Sequence, residues 1–307
     1  MSASREAADD ADHFVAMPSL PVLKTALREL VTQERVPRRP EPDLVMDHPQ
    51  KVAAFTRAGR EDGVMAPVYL FHCAQICDVV RAGDVVLDLG CGPATQLAMA
   101  ARLNPDVRFI GVDLSDEMLE RAHRHVADLR LPNVSFERSD VADLSFVADG
   151  SVNAVVSTVA LHHVPDVAHL ERTFAEIARV LAPSGGVYVV DFGRLRSEKS
   201  IEYFAYQYRD RQPELFTLDY LYSLRAAFGL DDFKRSAEHL AGRARVHSTF
   251  AMPFMVAVKS PSRAMDSDRL RKALREIRKA MPAHHQRDLR DLRTFFRLGG
   301  LGSALLG

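Results

Sequence analysis

The chain has 307 residues, and its 40 lysines and arginines nearly balance its 41 aspartates and glutamates. With 47% hydrophobic residues, it is typical of one large globular domain with appendages, or of two modest domains. The balance of charge argues against a nucleic acid or an anionic membrane as the partner, and it favours a small molecule.

The first residues give no sign of export. The segment MSASREAADDADHF is acidic where a secretory signal carries a basic region and an apolar run. No later stretch approaches about 18 uninterrupted apolar residues, so no membrane insertion is expected. The three cysteines, Cys73, Cys77 and Cys91, do not make a disulfide framework and suit a reducing compartment. We therefore expect a cytoplasmic protein with free thiols.

Residues 1–80 are predicted to form a disordered N-terminus and a helical cap. Residues 1–16 are polar and charged. The run LPVLKTALREL then carries apolar residues at helical spacing, until the proline-rich linker VPRRPEPD ends the helix. The rest of the cap, residues 50–80, predicts further helices that are broken near Gly63 and Pro67.

Residues 81–260 are predicted to form an α/β core. Five short apolar runs alternate with segments able to form helices: VVLDL, RFIGVDL, VSFERSD, VNAVVST and GVYVVDF. This alternation is typical of a parallel sheet with helices on both faces. Two further runs, RARVHSTF and MPFMVAVKS, lie so close together that only an antiparallel hairpin joins them.

An aromatic-rich insertion at about 194–230 is the predicted lid over the ends of the strands. Tyr203 and Tyr206 are candidates for stacking on a planar or cationic acceptor, and Arg209 for pairing with a carboxylate or phosphate. The alternatives are packing within a helix interface for the rings and a solvated surface for the arginine. Residues 261–307 are predicted to form two amphipathic helices. These helices would either form a homodimer interface or support the lid.

The most informative segment is VVLDLGCGPAT, in which a buried strand runs into the turn Gly90–Gly92 and then into a helix. Glycines let the chain turn sharply and let a ligand approach bare backbone. Nicotinamide-binding domains use a related turn, but Asp88 would repel a diphosphate, and Thr95 replaces their third glycine. Asp113, about 20 residues further on, is placed to accept both hydroxyls of a ribose. A nucleoside without phosphates is therefore favoured.

Five motifs together resemble the class I S-adenosylmethionine-dependent methyltransferases, particularly the branch of ubiquinone, menaquinone and small-molecule enzymes. They are VLDLGCGPA, GVDLSDEML, RSDVADL, ALHHVPD and ARVLAPSGGVYVVDF. The resemblance covers roughly residues 80–192, and the hairpin to about residue 259 fits the same fold. It implies a Rossmann-like, mostly parallel sheet of seven strands with the last one antiparallel.

The resemblance also implies S-adenosylmethionine as the cofactor and assigns residues to its parts. Asp88 and the glycine turn hold the methionine portion, and Asp113 holds the ribose. Asp140 is near the adenine amino group, with a helix or turn cap as the alternative use of its carboxylate. The cofactor-binding residues predicted in this way, with a possible lid tyrosine on the approach to the first strand, are Tyr69, Asp88, Gly90, Cys91, Gly92, Asp113, Leu114, Met118, Asp140, Val141 and Ser157.

The step after the fourth strand faces the transferred methyl group in this fold. His162 or His163 is a candidate general base there, because imidazole titrates near neutral pH. The alternative is a structural pair with one ring packed and hydrogen-bonded. No metal is expected, since adjacent histidines point in different directions and no cysteine or acidic cluster accompanies them at ligand spacing. The absence of a cysteine after Cys91 argues against arsenite as the acceptor.

These observations predict methyl transfer from S-adenosylmethionine to a small molecule, plausible in specialised metabolism, with oxygen, nitrogen, carbon and thioether sulfur all open as the acceptor atom. An NAD-dependent oxidoreductase is the second hypothesis, and it requires a third glycine near Thr95 and a separate catalytic domain. A non-catalytic protein that binds the cofactor on the same fold is the third.

Overall fold

A computed structural model describes residues 19–33, 35–42, 48–59, 63–265 and 267–306. The predicted disordered segment, residues 1–16, lies outside these ranges. The helices and strands of the described residues are, in chain order, α1 (Leu20–Val31), α2 (Pro49–Ala58), α3 (Ala66–Val79), β1 (Val85–Leu89), α4 (Thr95–Leu103), β2 (Arg108–Asp113), α5 (Asp116–Asp128), β3 (Val134–Arg138), β4 (Val152–Thr158), α6 (Val167–Val180), β5 (Leu181–Phe192), α7 (Glu198–Tyr206), α8 (Glu214–Ala226), α9 (Leu230–Ala237), β6 (Arg245–Ser248), β7 (Met255–Lys259), α10 (Ser267–Ala280) and α11 (Ala283–Leu298).

The strands form one seven-stranded sheet in the order β3-β2-β1-β4-β5-β7-β6. Strands β1 to β5 are parallel, whereas β7 runs antiparallel to both β5 and β6. The predicted mostly parallel sheet and its antiparallel hairpin are therefore confirmed. Because the chain leaves β1 in one direction toward β2 and β3 and later returns on its other side to β4, a crevice opens at the carboxyl ends of these central strands.

Helix α3 is the central helix of one face of the sheet, and every one of its residues except Val68 is buried. Its Phe71 ring stacks on Phe296 of α11 with the ring centres 5.1 Å apart. Lys259 of β7 donates to Asp78 of α3 at 2.6 Å, an ion pair buried beneath the same helix. The C-terminal helices thus cover α3 and complete the core on this face.

The two helices that follow the loops after β2 and β4 begin at side-chain caps. Ser115 accepts a hydrogen bond from the Met118 amide and starts α5, and Asp166 accepts from the His169 amide and starts α6. These caps fix where the loops after β2 and β4 end. Helix α8 of the aromatic insertion packs against α2 and over the turn after β4. Across the described ranges, no helix has the length and apolar character needed to span a bilayer.

Candidate functional site

A cavity of about 260 Å³ lies at the carboxyl ends of the central strands. One part, which we call the motif half, is formed by residues that directly follow β1, β2 and β3. The other part, the histidine half, is formed by the turn after β4 together with α2, α8 and the end of β5. The residues of the motif half are Gly90, Gly92, Asp113, Leu114, Ser115, Met118, Ser139, Asp140 and Val141. The residues of the histidine half include Phe55, Val159, His162, His163, Phe192, Phe216, Asp219, Tyr220, Ser223 and Phe254.

The glycine turn presents bare backbone to the cavity. Gly90 has a φ of +71°, and a Cβ there would lie 2.3 Å from the Cβ of Ala160. Gly92 has a φ of +52°, also in the region that favours glycine. Cys91 between them is buried, and its side chain does not line the cavity. Any side chain at position 90 would close the gap between the turn and the loop after β4.

Asp113 at the end of β2 is fixed by backbone amides. One carboxylate oxygen accepts from Gly92 N at 2.8 Å and the other accepts from Ser115 N at 2.9 Å. A carboxylate oxygen can accept more than one hydrogen bond, which binding of two vicinal hydroxyls would require. Leu114 and Met118 line the cavity beside it. The three predicted nucleoside contacts are thus brought together.

Asp88 lies beneath the glycine turn and is only 2% exposed. Its Oδ1 has no hydrogen-bond partner among the described residues. Burial, with a further contribution from the negative charge of Asp113, raises the pKa of Asp88 to about 8. A buried carboxylate without a partner is unfavourable, and a bound cation relieves this. The site therefore fits a cofactor that carries an ammonium or sulfonium group next to a ribose.

Three other predicted cofactor residues have different environments. Asp140 lines the cavity, but its Oδ1 also accepts from Ala142 N at 2.8 Å, so it caps a turn as well. Ser157 donates to the Leu89 carbonyl at 2.7 Å inside the sheet and does not line the cavity. Tyr69 is buried and also lies outside the lining. Val68 is the residue of α3 that lines the cavity, and the helical rotation of about 100° per residue turns Tyr69 away from it.

The predicted acceptor contacts Tyr203, Tyr206 and Arg209 all lie outside the cavity lining. Tyr203 packs edge-to-face against Phe204, which belongs to a separate hydrophobic cluster. Tyr206 is 39% exposed and Arg209 is also exposed. Tyr203 thus packs against a neighbouring helix residue, and Tyr206 and Arg209 lie on the solvated surface. These are the alternative interpretations given above for the rings and the arginine.

Helix α8 of the same aromatic insertion supplies the acceptor-side lining, at residues that the sequence did not single out from the other aromatics. Its Phe216, Asp219, Tyr220 and Ser223 all face the cavity. They recur at intervals of three and four residues, which places them on one face of a helix. This spacing in the segment LFTLDYLYS was the available signal, because a helix with a mixed aromatic and polar stripe is typical of one that lines a cavity.

The backbone of the turn after β4 is strained where it meets the cavity. Val159 has a φ of +53°, which is rare for a β-branched residue. Such outliers persist only where the surrounding structure holds them, and they cluster at functional sites. The strained turn leads directly into the single helical turn that carries the histidine pair, Leu161–His163.

His162 is held by Asp191, a fully buried residue of β5. The His162 Nδ1 lies 2.7 Å from Asp191 Oδ1, and the His162 backbone amide donates to Asp191 Oδ2 at 2.9 Å. Burial lowers the pKa of His162, but the charge and hydrogen bond of Asp191 outweigh it, with help from Glu41 and Asp219, and the pKa is raised. Burial and the charge of His162 hold the pKa of His163 well below its ordinary value.

The proline-rich linker contributes directly to the histidine half. The Arg38 guanidinium lies 4.0 Å above the Phe228 ring. The same group donates to backbone carbonyls of the turn after β4 and of the end of α8. These acceptors are the carbonyls of His162 at 3.0 Å, Val164 at 2.6 Å, Pro165 at 2.6 Å and Ala226 at 2.7 Å.

Three residues further along the linker, Glu41 is buried and accepts from Ser223 Oγ at 2.8 Å. Glu41, His162 and His163 each offer a ligand atom, and the three atoms lie within 4.8 Å of one another. The prediction that no cysteine or acidic cluster accompanies the histidine pair at ligand spacing did not include this carboxylate. It was based on spacing along the chain, and Glu41 arrives from a distant segment.

Part of the core is similar to known methyltransferases. Residues 86–185 match the family model described as "Methyltransferase domain". An arsenite methyltransferase of Halobacterium salinarum is 38% identical over 36% of this chain and 27% of its own length. The 27-O-demethylrifamycin SV methyltransferase of Amycolatopsis mediterranei is 36% identical over 43% of this chain and 47% of its own length. The matched segments thus span less than half of each of these two relatives.

A solved structure has a similar α/β fold. A crystal structure from Methanococcus maripaludis, described as an S-adenosyl-L-methionine-dependent methyltransferase, superposes with a TM-score of 0.50. It is 18% identical in sequence, and the alignment covers 73% of this chain and 95% of that one. At this identity the match speaks for the shared α/β fold.

Proposed function

We propose that this chain, whose core is a class I S-adenosylmethionine-dependent methyltransferase domain, is an enzyme that methylates a small-molecule acceptor. The observation that carries the proposal is the buried, unpartnered Asp88 carboxylate beneath a glycine turn whose bare backbone faces the cavity. A cationic cofactor satisfies this carboxylate, whereas a dinucleotide phosphate would be repelled by it.

In this proposal the motif half binds the cofactor. Asp88 offsets the positive charge of its methionine portion, and the turn amides lie against the same portion. Asp113 accepts the ribose hydroxyls, while Leu114 and Met118 cover the adenine. S-Adenosylmethionine, when bound, supplies a methyl group on a sulfonium, which is the reactive group of the transfer. The residues of the chain bind it, orient the acceptor and exclude water.

The lining of the histidine half describes the acceptor. Aromatic rings from three elements surround it, namely Phe55, Phe192, Phe216 and Tyr220. No lysine or arginine lines the cavity in the part of the chain that the structure describes, although Asp219 does. A planar, largely apolar acceptor without negative charge suits these walls. A carboxylate or phosphate on the acceptor, the group expected to pair with Arg209, is disfavoured.

His162 is the residue proposed to handle the acceptor's proton. Asp191 occupies its Nδ1, so Nε2 remains to accept a proton from an acceptor hydroxyl or amine. The buried Asp191 carboxylate stabilises the imidazolium that then forms. The raised pKa of His162 makes it a stronger base than an ordinary histidine.

Arsenite is a poorer candidate acceptor than an organic molecule, even though an arsenite methyltransferase is among the relatives. Arsenic binds soft thiolate ligands, and none of the three cysteines lines the cavity. All three are buried, two of them in α3.

The first experiment is calorimetric titration with S-adenosylmethionine and with its demethylated product. Wild-type protein is compared with Asp113→Ala and with the matched control Asp116→Ala, whose carboxylate is exposed and pairs with Arg138 on the surface. We expect micromolar binding that weakens about 10- to 100-fold in Asp113→Ala only, as expected for losing hydrogen bonds to a charged group.

A panel of hydroxylated and amino-substituted aromatic compounds then tests turnover, with formation of S-adenosylhomocysteine as the readout. Binding of NADH in place of S-adenosylmethionine would overturn the proposal in favour of an oxidoreductase. Cofactor binding without turnover on any acceptor class would favour the non-catalytic alternative.

A further inference from the structure

We infer that Glu41, His162 and His163 form a binding site for one divalent transition-metal ion of the zinc class in the histidine half of the cavity. The inference deepens the proposed function, and it rests on that function for the role given to the ion below. The binding site itself is argued from the arrangement of the three side chains alone.

The three side chains converge although they come from distant parts of the chain. Their ligand atoms lie within 4.8 Å of one another. Ligands around a tetrahedral zinc ion, with bonds of about 2.0–2.2 Å, lie roughly 3.3 Å apart. Small rotations of the side chains would bring the ligand atoms this close together. The two imidazole rings are already side by side, with centres 4.3 Å apart and planes inclined by 37°.

The surroundings of the rings are those of metal-binding histidines. His162 has its Nδ1 against the Asp191 carboxylate at 2.7 Å, which leaves Nε2 for an ion. A carboxylate on the far nitrogen is the usual outer partner of a metal-bound histidine, because it fixes the ring and strengthens the ligand. The Nδ1 of His163 is buried without any hydrogen-bond partner among the described residues. A buried ring nitrogen of this kind is available as a ligand.

The local charge also favours a cation. Glu41 and Asp191 are buried carboxylates, and Asp219 lines the cavity nearby. Arg38, the nearest cation described above, donates to backbone carbonyls and covers the Phe228 ring. His162 therefore faces more negative than positive charge, and a divalent ion would balance it.

The donor set selects the kind of ion. Two imidazole nitrogens and one carboxylate oxygen suit Zn²⁺, Co²⁺, Ni²⁺, Mn²⁺ or Fe²⁺. Mg²⁺ and Ca²⁺ prefer sites made entirely of oxygen. Three protein ligands leave at least one coordination position open, and His162, His163 and Ser223 line the cavity on that side.

The open position assigns a substrate class, namely acceptors with a hydroxyl group. An oxygen bound to the ion loses its O–H proton to solvent at a lower pH than in water, and its electron pair stays on the oxygen. That oxygen then forms the bond to the methyl carbon as the carbon–sulfur bond breaks, and the sulfur keeps the bonding pair. With the ion bound, His162 acts as its ligand, and the ion takes over the activation of the acceptor.

The test uses the full-length protein after dialysis against a chelator. Titration with ZnCl₂ is followed by calorimetry, and titration with CoCl₂ by the visible absorption of the bound ion. We expect one ion per chain and a cobalt spectrum typical of nitrogen and oxygen ligands. Loss of an outer partner of a metal site weakens metal binding about 10- to 100-fold. Glu41→Gln and His163→Gln each remove a direct ligand, so each should weaken zinc binding by at least as much.

His239→Ala is the matched control, because His239 is exposed and lies outside the cavity, so its removal leaves zinc binding unchanged. Binding of S-adenosylmethionine is measured for every variant. It reports folding, and it separates failure of the metal site from failure of the proposed function.

Absence of stoichiometric zinc binding by the wild-type protein overturns the inference. Zinc binding that both Glu41→Gln and His163→Gln retain overturns it as well, because the ion then lies elsewhere. If either variant loses S-adenosylmethionine binding too, the cobalt spectrum of the wild-type protein decides, since coordination by oxygen alone contradicts the assigned ligands.

Discussion

The two halves of the cavity differ in how they are built. In the motif half, each cavity residue lies at or within a few positions of the end of β1, β2 or β3, and hydrogen bonds such as Gly92 N to Asp113 join neighbouring loops. In the histidine half, Glu41 of the linker, His162 of the turn after β4 and Ser223 of α8 meet only after folding. The first half depends on short loops of fixed shape, and the second depends on how distant elements pack.

The largest expected effect is on kcat, and it comes from substitution of Asp191, the buried carboxylate that holds His162. Asp191→Asn removes the charge that orients His162 and raises its pKa. We expect kcat to fall by about 10²- to 10⁴-fold, the range for loss of general base catalysis, with unchanged affinity for S-adenosylmethionine. Single-turnover kinetics measure this, and Asp210→Asn, an exposed position, is the control. A loss of less than threefold would show that His162 does not need Asp191.

A second large effect is expected in the motif half. Asp88→Asn removes the carboxylate that faces the cofactor's positive charge, so the affinity for S-adenosylmethionine should fall about 10- to 100-fold. Because the cofactor stabilises the ionised form, its binding near neutral pH should release a proton from Asp88 in the wild-type protein only. Titrations in buffers of different ionisation enthalpy measure that proton. Equal proton release in both proteins would exclude Asp88 as its source.

Asp88→Asn should increase the stability of the cofactor-free protein, although it weakens binding of the cofactor. The pKa of Asp88 is raised from 3.8 to about 8 in the folded state. Within this pH window the folded state binds more protons than the unfolded state, so the free energy of unfolding falls as pH rises. Asp88→Asn should therefore stabilise the cofactor-free protein at pH 8, by about 1–3 kcal/mol. Urea denaturation at pH 5 and pH 8 tests this, and a gain at pH 5 that equals the gain at pH 8 would contradict it.

An intermediate effect is expected at the linker. Arg38→Ala removes the hydrogen bonds that tie the linker to the turn after β4 and to the end of α8. We expect the free energy of unfolding to fall by about 2–3 kcal/mol and the KM for the acceptor to rise, while cofactor affinity stays the same. Arg39→Ala, its exposed neighbour, is the matched control. If cofactor affinity falls as much as acceptor affinity, the two halves are not independent.

The smallest effects are expected at the aromatic positions outside the cavity. Tyr206→Ala and Arg209→Ala should each change stability by no more than about 0.5 kcal/mol and leave the acceptor KM unchanged. Phe216→Ala, on the face of α8 that lines the cavity, should raise that KM about tenfold or more. Initial-rate measurements across the three variants compare them. A larger KM effect at Tyr206 than at Phe216 would reverse the assignment of the acceptor surface.

The motif half could be predicted from the sequence more fully than the histidine half. Asp113 was expected from its place at the end of the second strand, and Leu114 and Met118 from the family resemblance; all three line the cavity. Tyr69 and Tyr203 were expected from aromatic character and approximate place in the chain, and both lie outside the lining. A side chain's direction depends on the helix face that its neighbours leave open, and composition does not report this.

The sequence by itself determined the seven-stranded sheet, its antiparallel hairpin and the glycine turn. These features depend on local properties, namely buried β-branched runs, loop length and the φ values that only glycine adopts easily. Only the tertiary structure decided that Glu41 joins the histidine pair, that Asp191 holds His162 and that α8 rather than Tyr206 lines the cavity. Such contacts depend on the packing of elements far apart in the chain, and no spacing along the sequence records them.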